Sequence, residues 1–112
     1  MEVDVTFHGD VARVRIKGRI VDGKPADHLK QTLSKLLQDG KLNTIFDLWE
    51  VTWFDSLGIG ILVGHYISVA GRGGKVMLLG ANKKIRQIVE MVRVADRFGW
   101  AWDLEEALAW FR

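Results

Sequence analysis

The first seventeen residues alternate between apolar and polar side chains in two runs, which a short turn separates. Val3 to Phe7 alternates with a period of two, His8-Gly9-Asp10 is typical of a turn, and Val11 to Lys17 alternates again. A period of two indicates a strand that buries one face. The segment therefore predicts a β-hairpin, and residues 18–25 are predicted as a loop.

Two segments with apolar residues at helical spacing follow, and a short apolar run lies between them. Ala26 to Leu37 predicts a helix, for which Gly40 supplies the stop signal. Thr44 to Leu48 is typical of a short buried strand, and Trp49-Glu50 is interpreted as a break after it. Leu57 to Ala70 then predicts a largely apolar helix, in spite of its glycines.

The last part of the chain predicts two strands and two helices. Lys75 to Leu79 is typical of a strand, and Asn82 is a suitable N-cap for the helix that follows it. Phe98 to Trp102 predicts an edge strand. Asp103, with Glu106 three residues later, forms an Asp version of the capping box and opens the last helix.

The order of these elements is β-β-α-β-α-β-α-β-α. Strands that alternate with helices imply parallel neighbours, because each crossover helix returns the chain to the same end of the sheet. The sequence therefore predicts one α/β domain over residues 1–112, with a mostly parallel sheet, an antiparallel N-terminal hairpin and helices mainly on one face.

Composition narrows the class of protein. The chain has 112 residues, 48% of them hydrophobic and 27% charged, which suits one globular domain. It has no cysteine, so it can form neither a disulfide nor a thiolate site. No uncharged apolar run reaches about 18 residues, which argues against membrane insertion, and we expect a cytoplasmic protein. The net charge is only +2, and the lysines and arginines are scattered apart from the run Lys83-Lys84-Ile85-Arg86, which argues against nucleic-acid binding.

The richest chemistry lies in the run Trp53-Phe54-Asp55-Ser56-Leu57-Gly58-Ile59-Gly60, at the predicted change from strand to helix. A helix N-terminus can display a hydroxyl to a partner and can hold an anion. The simpler interpretation is that Asp55 or Ser56 caps the helix, which is worth about 1 kcal/mol.

This run resembles the STAS domain family, typified by bacterial anti-sigma factor antagonists. Gly73-Gly74-Lys75-Val76, the segment Ile85 to Val94 and the closing Leu104 to Leu108 extend the resemblance to roughly residues 3 to 111. It implies a regulatory domain that is not an enzyme. Its partner would be a serine kinase that doubles as an anti-sigma factor, which phosphorylates the domain just after an Asp-Ser pair and is then released.

The chain departs from the family pattern at the phosphorylation site. The usual run is Asp-Ser-Ser-Gly and the acceptor stands directly before glycine, where this chain has Leu57. Ser56, one position earlier, remains a candidate acceptor. A shift of one residue turns a helical side chain by about 100°, which disturbs the near-attack geometry of a kinase. We therefore expect a partner-binding domain without the usual switch.

The family often has Gly-Glu-Leu-Asp after its second strand, and this chain has Gly18-Arg19-Ile20-Val21-Asp22. The charge is therefore reversed at Arg19, and the second acid stands one position later. The resemblance implies a partner-binding surface, and it carries over to these residues: Asp22, Asp55, Ser56, Leu57, Gly58 and Ile59. An alternative within the family is a scaffold or a transporter-associated regulatory subunit that is never phosphorylated.

An alternative of another class is a nucleotide-binding protein, because Gly58 to Gly64 has the form G-x-G-x-x-x-G. A dinucleotide site also needs an acid at the end of the next strand, and Leu79-Gly80 has none. Close packing of helix on sheet explains the glycines more simply, so no cofactor is expected.

The histidines and tryptophans supply the remaining candidates. His8, His28 and His65 fall in different elements and show no metal-ligand spacing, so no metal site is expected. Ser56 and His65 lack the Gly-x-Ser-x-Gly elbow of a hydrolase. Three tryptophans form a candidate interface for a homodimer or a partner, unless they cover the end of the core: Trp100, Trp102 and Trp110.

Overall fold

The structure is a computed structural model that describes residues 2–20 and 23–112, which form one five-stranded sheet and four α-helices. In chain order the elements are β1 (Glu2–His8), β2 (Val11–Ile20), α1 (Lys24–Gln38), β3 (Asn43–Phe54), α2 (Ser56–Ala70), β4 (Val76–Leu79), α3 (Lys83–Glu90), a 3-10 turn (Ala95–Arg97), β5 (Gly99–Ala101) and α4 (Leu104–Trp110). The strands lie in the order β1-β2-β3-β4-β5. Strand β1 is antiparallel to β2 and every other pair is parallel, so the predicted fold class is confirmed.

Successive residues of each strand point to opposite faces of the sheet, and the two faces are covered differently. Phe46 and Leu78 belong to the large core under α1, α2 and α3. Ile45 and Met77 belong to a smaller core under α4. Three of the four described helices therefore cover one face, as predicted, and the seven-residue α4 covers part of the other.

The predicted break at Trp49-Glu50 is wrong, because β3 runs without interruption through both residues. The register against β2 advances from Arg15–Asp47 to Lys17–Glu50, which is two residues on β2 against three on β3. A bulge of this kind disturbs the alternation of apolar residues without ending the strand. The sequence pattern therefore shows a break where the backbone has only an irregularity.

The predicted loop over residues 18–25 is too long at both ends. Strand β2 continues to Ile20, which is buried, and helix α1 begins at Lys24. Gly18 stays in the strand with φ of +97°, a conformation that glycine adopts at no steric cost. Pro25 lies in the first turn of α1, where its missing N–H is harmless.

Candidate functional site

The candidate site is built around the start of α2. Strand β3 ends at Phe54, and Asp55 forms the single residue between strand and helix. Its backbone is extended, and its Oδ1 accepts a hydrogen bond of 3.0 Å from the N–H of Gly58. The capping role predicted for Asp55 is therefore confirmed. Asn82 and Asp103 cap α3 and α4 through equivalent bonds of 2.9 and 2.8 Å.

Residues after the cap differ sharply in exposure. Ser56, the first residue of α2, is exposed, and Leu57 is half-buried against the main core. Gly58 and Ile59 are buried. Of the residues predicted to bind a partner, Asp55, Ser56 and Leu57 thus reach the surface, while the next two lie beneath it. Asp22 lies outside the described residues.

The three glycines of α2 have different reasons to be glycine. A Cβ on Gly58 would lie 3.0 Å from Cγ2 of Ile20, so packing against β2 favours glycine there. A Cβ on Gly60 or Gly64 would meet nothing within 4 Å. The packing interpretation therefore holds for Gly58 alone. Gly60 and Gly64 instead line an open groove of about 480 Å³ between α1 and α2.

The glycine motif does not form a phosphate cradle at the start of α2. The N–H of Gly58 already donates to the Asp55 carboxylate, which places a negative group where a phosphate would bind. Among residues 2–20 and 23–112 there is also no group of three acidic or histidine side chains that could hold a metal ion.

His65 is a buried residue of the α2 core, with 4% of its surface exposed. Its Nε2 lies 2.9 Å from Oγ1 of Thr44, and that hydroxyl also lies 3.4 Å from the carbonyl of Leu42. Both contacts are satisfied when the hydroxyl donates to the carbonyl and Nε2 donates to the hydroxyl. Burial lowers the pKa of His65 to about 4, so the ring is neutral at pH 7.

The structure does not bring His65 to Ser56. They lie nine positions apart in α2, which is about 13 Å along a helix axis. The hydrogen bond of His65 runs to Thr44 in the sheet, away from the helix start. Ser56 therefore has no general base from this histidine.

The tryptophans predicted as one interface do not form a single patch. Trp100 packs against the main core, whereas Trp110 packs against the smaller core on the other face of the sheet. Gly99 makes room for Trp110, since a Cβ there would lie 2.8 Å from its ring. Trp102 is exposed and pairs with Trp49, the two ring centroids being 5.6 Å apart.

A pair that sequence reasoning missed lies beside the start of α2. The Nζ of Lys84, in the first turn of α3, lies 4.4 Å from the ring centroid of Trp53. Trp53 is 38% exposed and stands two residues before Asp55. The basic run Lys83-Lys84 was visible in the sequence, but the contact between α3 and the end of β3 is a tertiary property.

Comparison with known proteins identifies the family of this domain. A model of the STAS domain matches residues 2–108, which is nearly the whole chain. The chain belongs to the STAS domain family. This STAS domain is 23% identical over 96 residues to an anti-sigma-B factor antagonist of Staphylococcus aureus, covering 86% of this chain and 88% of the relative.

Solved structures share the fold of this STAS domain. The phosphorylated form of the Bacillus cell fate determinant SpoIIAA matches with a TM-score of 0.82 at 17% identity, covering 99% of this chain and 100% of that one. An anti-sigma factor antagonist from Mycobacterium paratuberculosis matches with a TM-score of 0.82 at 22% identity, covering 96% and 91%. In the part of the STAS domain that the structure describes, no helix is both long and apolar enough to cross a membrane.

Proposed function

We propose that this STAS domain is a non-catalytic regulator that binds an anti-sigma factor of the serine-kinase type. The start of α2 is the contact surface, where Asp55 fixes the turn and Ser56 and Leu57 face the partner. Support comes from the family membership, from the named function of the S. aureus relative and from the exposure of Ser56 at a capped helix start.

We further propose that phosphorylation does not release the partner. The observation that carries this is Leu57, an apolar side chain half-buried against the core at the position directly before Gly58. It has no hydroxyl, so the position directly before glycine, where the family resemblance implies the acceptor, cannot receive a phosphate. A leucine here also adds apolar surface to the contact, which favours a lasting complex.

Ser56 does not replace the missing acceptor. It is exposed, but it lies about 100° around the helix and about 1.5 Å along it from position 57. Phosphoryl transfer needs the hydroxyl within about 3–3.5 Å of the γ-phosphate and in line with it. A kinase that holds the domain in the family's orientation therefore does not reach Ser56.

The pair formed by Trp53 and Lys84 extends the proposed contact surface. Aromatic side chains are enriched in protein interfaces, and a cation held over the ring keeps the indole in one orientation. Asp55 lies between Trp53 and Leu57 along the chain, so the surface joins an aromatic, an acidic and an apolar side chain.

The test measures binding to purified serine-kinase anti-sigma factors of the same organism, before and after incubation with Mg-ATP. The wild type should bind one of them with an unchanged Kd and gain no phosphate by intact mass. Leu57→Ser restores a hydroxyl and should gain one phosphate and lose affinity at least about tenfold in ATP.

Ser56→Ala is the matched control: like the wild type, it should gain no phosphate, and its Kd should be the same before and after incubation with Mg-ATP. A phosphate on the wild type that disappears in Ser56→Ala would overturn the loss of the switch. If none of these kinases binds folded wild type, the proposed partner is wrong, whatever the phosphorylation result.

A further inference from the structure

The two edges of the sheet are protected to different degrees. Strand β5 is three residues long, which is a short and poor template for another strand. Strand β1 is seven residues long, and among the described residues it pairs only with β2. It contains no proline or lysine, and its register against β2 has no bulge. Apart from the charges of Glu2 and Asp4, strand β1 thus lacks the features that usually protect an exposed edge.

The helix-facing side of β1 is apolar and incompletely covered. Val3 and Val5 are half-buried against the main core, while Phe7 is 53% exposed. A groove of about 490 Å³ lies between β1 and α1, with Val5 and Phe7 on one wall and Leu36 on the other. An apolar groove beside an open strand edge is the geometry that accepts an added strand.

The hairpin turn determines which backbone groups face outward. Gly9 has φ of +64° and Asp10 has no positive φ, as in a type II′ turn with glycine at its first central position. Such a turn makes His8 and Val11 the closing hydrogen-bonded pair. Because bonded and non-bonded pairs alternate, the N–H and C=O groups of Val3, Val5 and Phe7 face the free edge.

We propose that a second copy of this chain binds this edge, with its own β1 running antiparallel and Val5 opposite Val5. This register sets Val3 opposite Phe7 and Asp4 opposite Thr6 of the partner copy, with Glu2 opposite His8. All seven residues of β1 are paired and no like charges face each other. The outward groups of Val3, Val5 and Phe7 then form about six hydrogen bonds between the copies.

Neighbouring registers that use the same outward groups are poorer. Moving one strand by two residues in one direction sets Asp4 opposite Asp4, and like charges in direct opposition are destabilising. Moving it by two residues in the other direction sets Thr6 opposite Thr6 and leaves Glu2 without a partner residue. The sequence of β1 is therefore self-complementary in one register.

The proposed dimer also covers the apolar groove. Its two-fold axis is perpendicular to the sheet, so the helices of both copies lie on the same side. The Val3–Phe7 pairs then sit beside α1 of each copy and reduce the exposure of Phe7. Two five-stranded sheets become one of ten strands. This surface is formed by β1 and α1, so the inference does not depend on the function proposed for the start of α2.

Single cysteines test both the dimer and its register, because the chain has no other cysteine. Val5→Cys should form an interchain disulfide under mild oxidation, since in this register the two copies of residue 5 form a hydrogen-bonded antiparallel pair, whose Cα atoms are about 5.5 Å apart. Thr6→Cys and Asp4→Cys are the matched controls and should not cross-link, because each faces a different residue. A disulfide in either control but not in Val5→Cys would overturn the register.

Charge provides a second test, read by sedimentation velocity over a range of concentrations. Thr6→Asp sets one acid of each copy opposite Asp4 of the other, which makes two acid–acid pairs per dimer, although residue 6 also faces Arg13 within its own hairpin. It should raise the dimer Kd by about tenfold or more, whereas Thr6→Lys should not weaken the dimer. A wild type that keeps the 12.7 kDa mass of one chain at every concentration, with no Val5→Cys disulfide, would overturn the proposal.

Discussion

The two faces of helix α2 carry the same kinds of residue in opposite settings. On the sheet-facing side, Gly58 and Leu62 are buried, and a Cβ on the glycine would lie 3.0 Å from Cγ2 of Ile20. On the outer side, Gly60 has open space around it and Ile67 is 60% exposed. In this apolar helix, packing against the sheet therefore determines the residues of one face. The residues of the outer face are not needed for the fold of the single domain.

The largest expected difference in the free energy of unfolding is between alanine variants of a buried and an exposed apolar residue of this helix. Leu62→Ala leaves a cavity in the main core and should lower the free energy of unfolding by about 2–5 kcal/mol. Ile67→Ala removes an exposed side chain and should change it by no more than about 0.5 kcal/mol. Urea denaturation of both variants measures the contrast. Equal losses would mean that the outer face is covered in solution.

The next prediction concerns His65, the polar residue of the buried face. Its pKa is lowered to about 4 by burial, while the unfolded chain protonates near 6.5. Between these pH values the unfolded state binds the extra proton, so stability falls as pH decreases. The loss should be on the order of 3 kcal/mol, complete only below pH 4.

Urea denaturation at pH 7 and pH 4.5 measures this loss in the wild type and in His65→Gln. Since His8 and His28 are present in both proteins, the difference between the two pH profiles isolates His65. Identical profiles would show that His65 does not carry the pH dependence.

The smallest effect distinguishes the glycines. Gly60→Ala should raise stability by about 0.5–1 kcal/mol, because alanine is the better helix former and its Cβ meets no neighbour. Gly58→Ala gains the same propensity, but its Cβ presses on Ile20 and Phe54, both buried. It should therefore be neutral or destabilising. Thermal unfolding compares the two variants, and a more stable Gly58→Ala would contradict the packing explanation.

Much of this fold is local, and the sequence predicts that part well. The hairpin follows from the alternation of apolar and polar residues on both sides of Gly9. Three helix caps are also local: each cap side chain accepts a hydrogen bond from the N–H three residues later, which depends only on nearby backbone. They are Asp55, Asn82 and Asp103. The departure at Leu57 is visible in the residue itself.

Other features depend on neighbours that are distant in sequence. The continuity of β3 through Trp49 depends on the register with β2, which no local pattern contains. Trp110 finds room because Gly99 lies on the facing strand. The burial of Ile59 and the pairing of Lys84 with Trp53 likewise become visible only when the helices pack on the sheet.

The pairing of Trp53 with Lys84 makes the intrinsic fluorescence of this tryptophan sensitive to binding at the start of α2. Indole fluorescence shifts with the polarity of its surroundings and with charges nearby, and this ring is 38% exposed with an ammonium group 4.4 Å from its centroid. A protein that covered the start of α2 would displace water from the ring and constrain the cation. In Trp53→Phe only the other tryptophans emit, so the difference between the wild-type and variant spectra gives the emission of Trp53. Binding at this helix can then be followed in real time without a label.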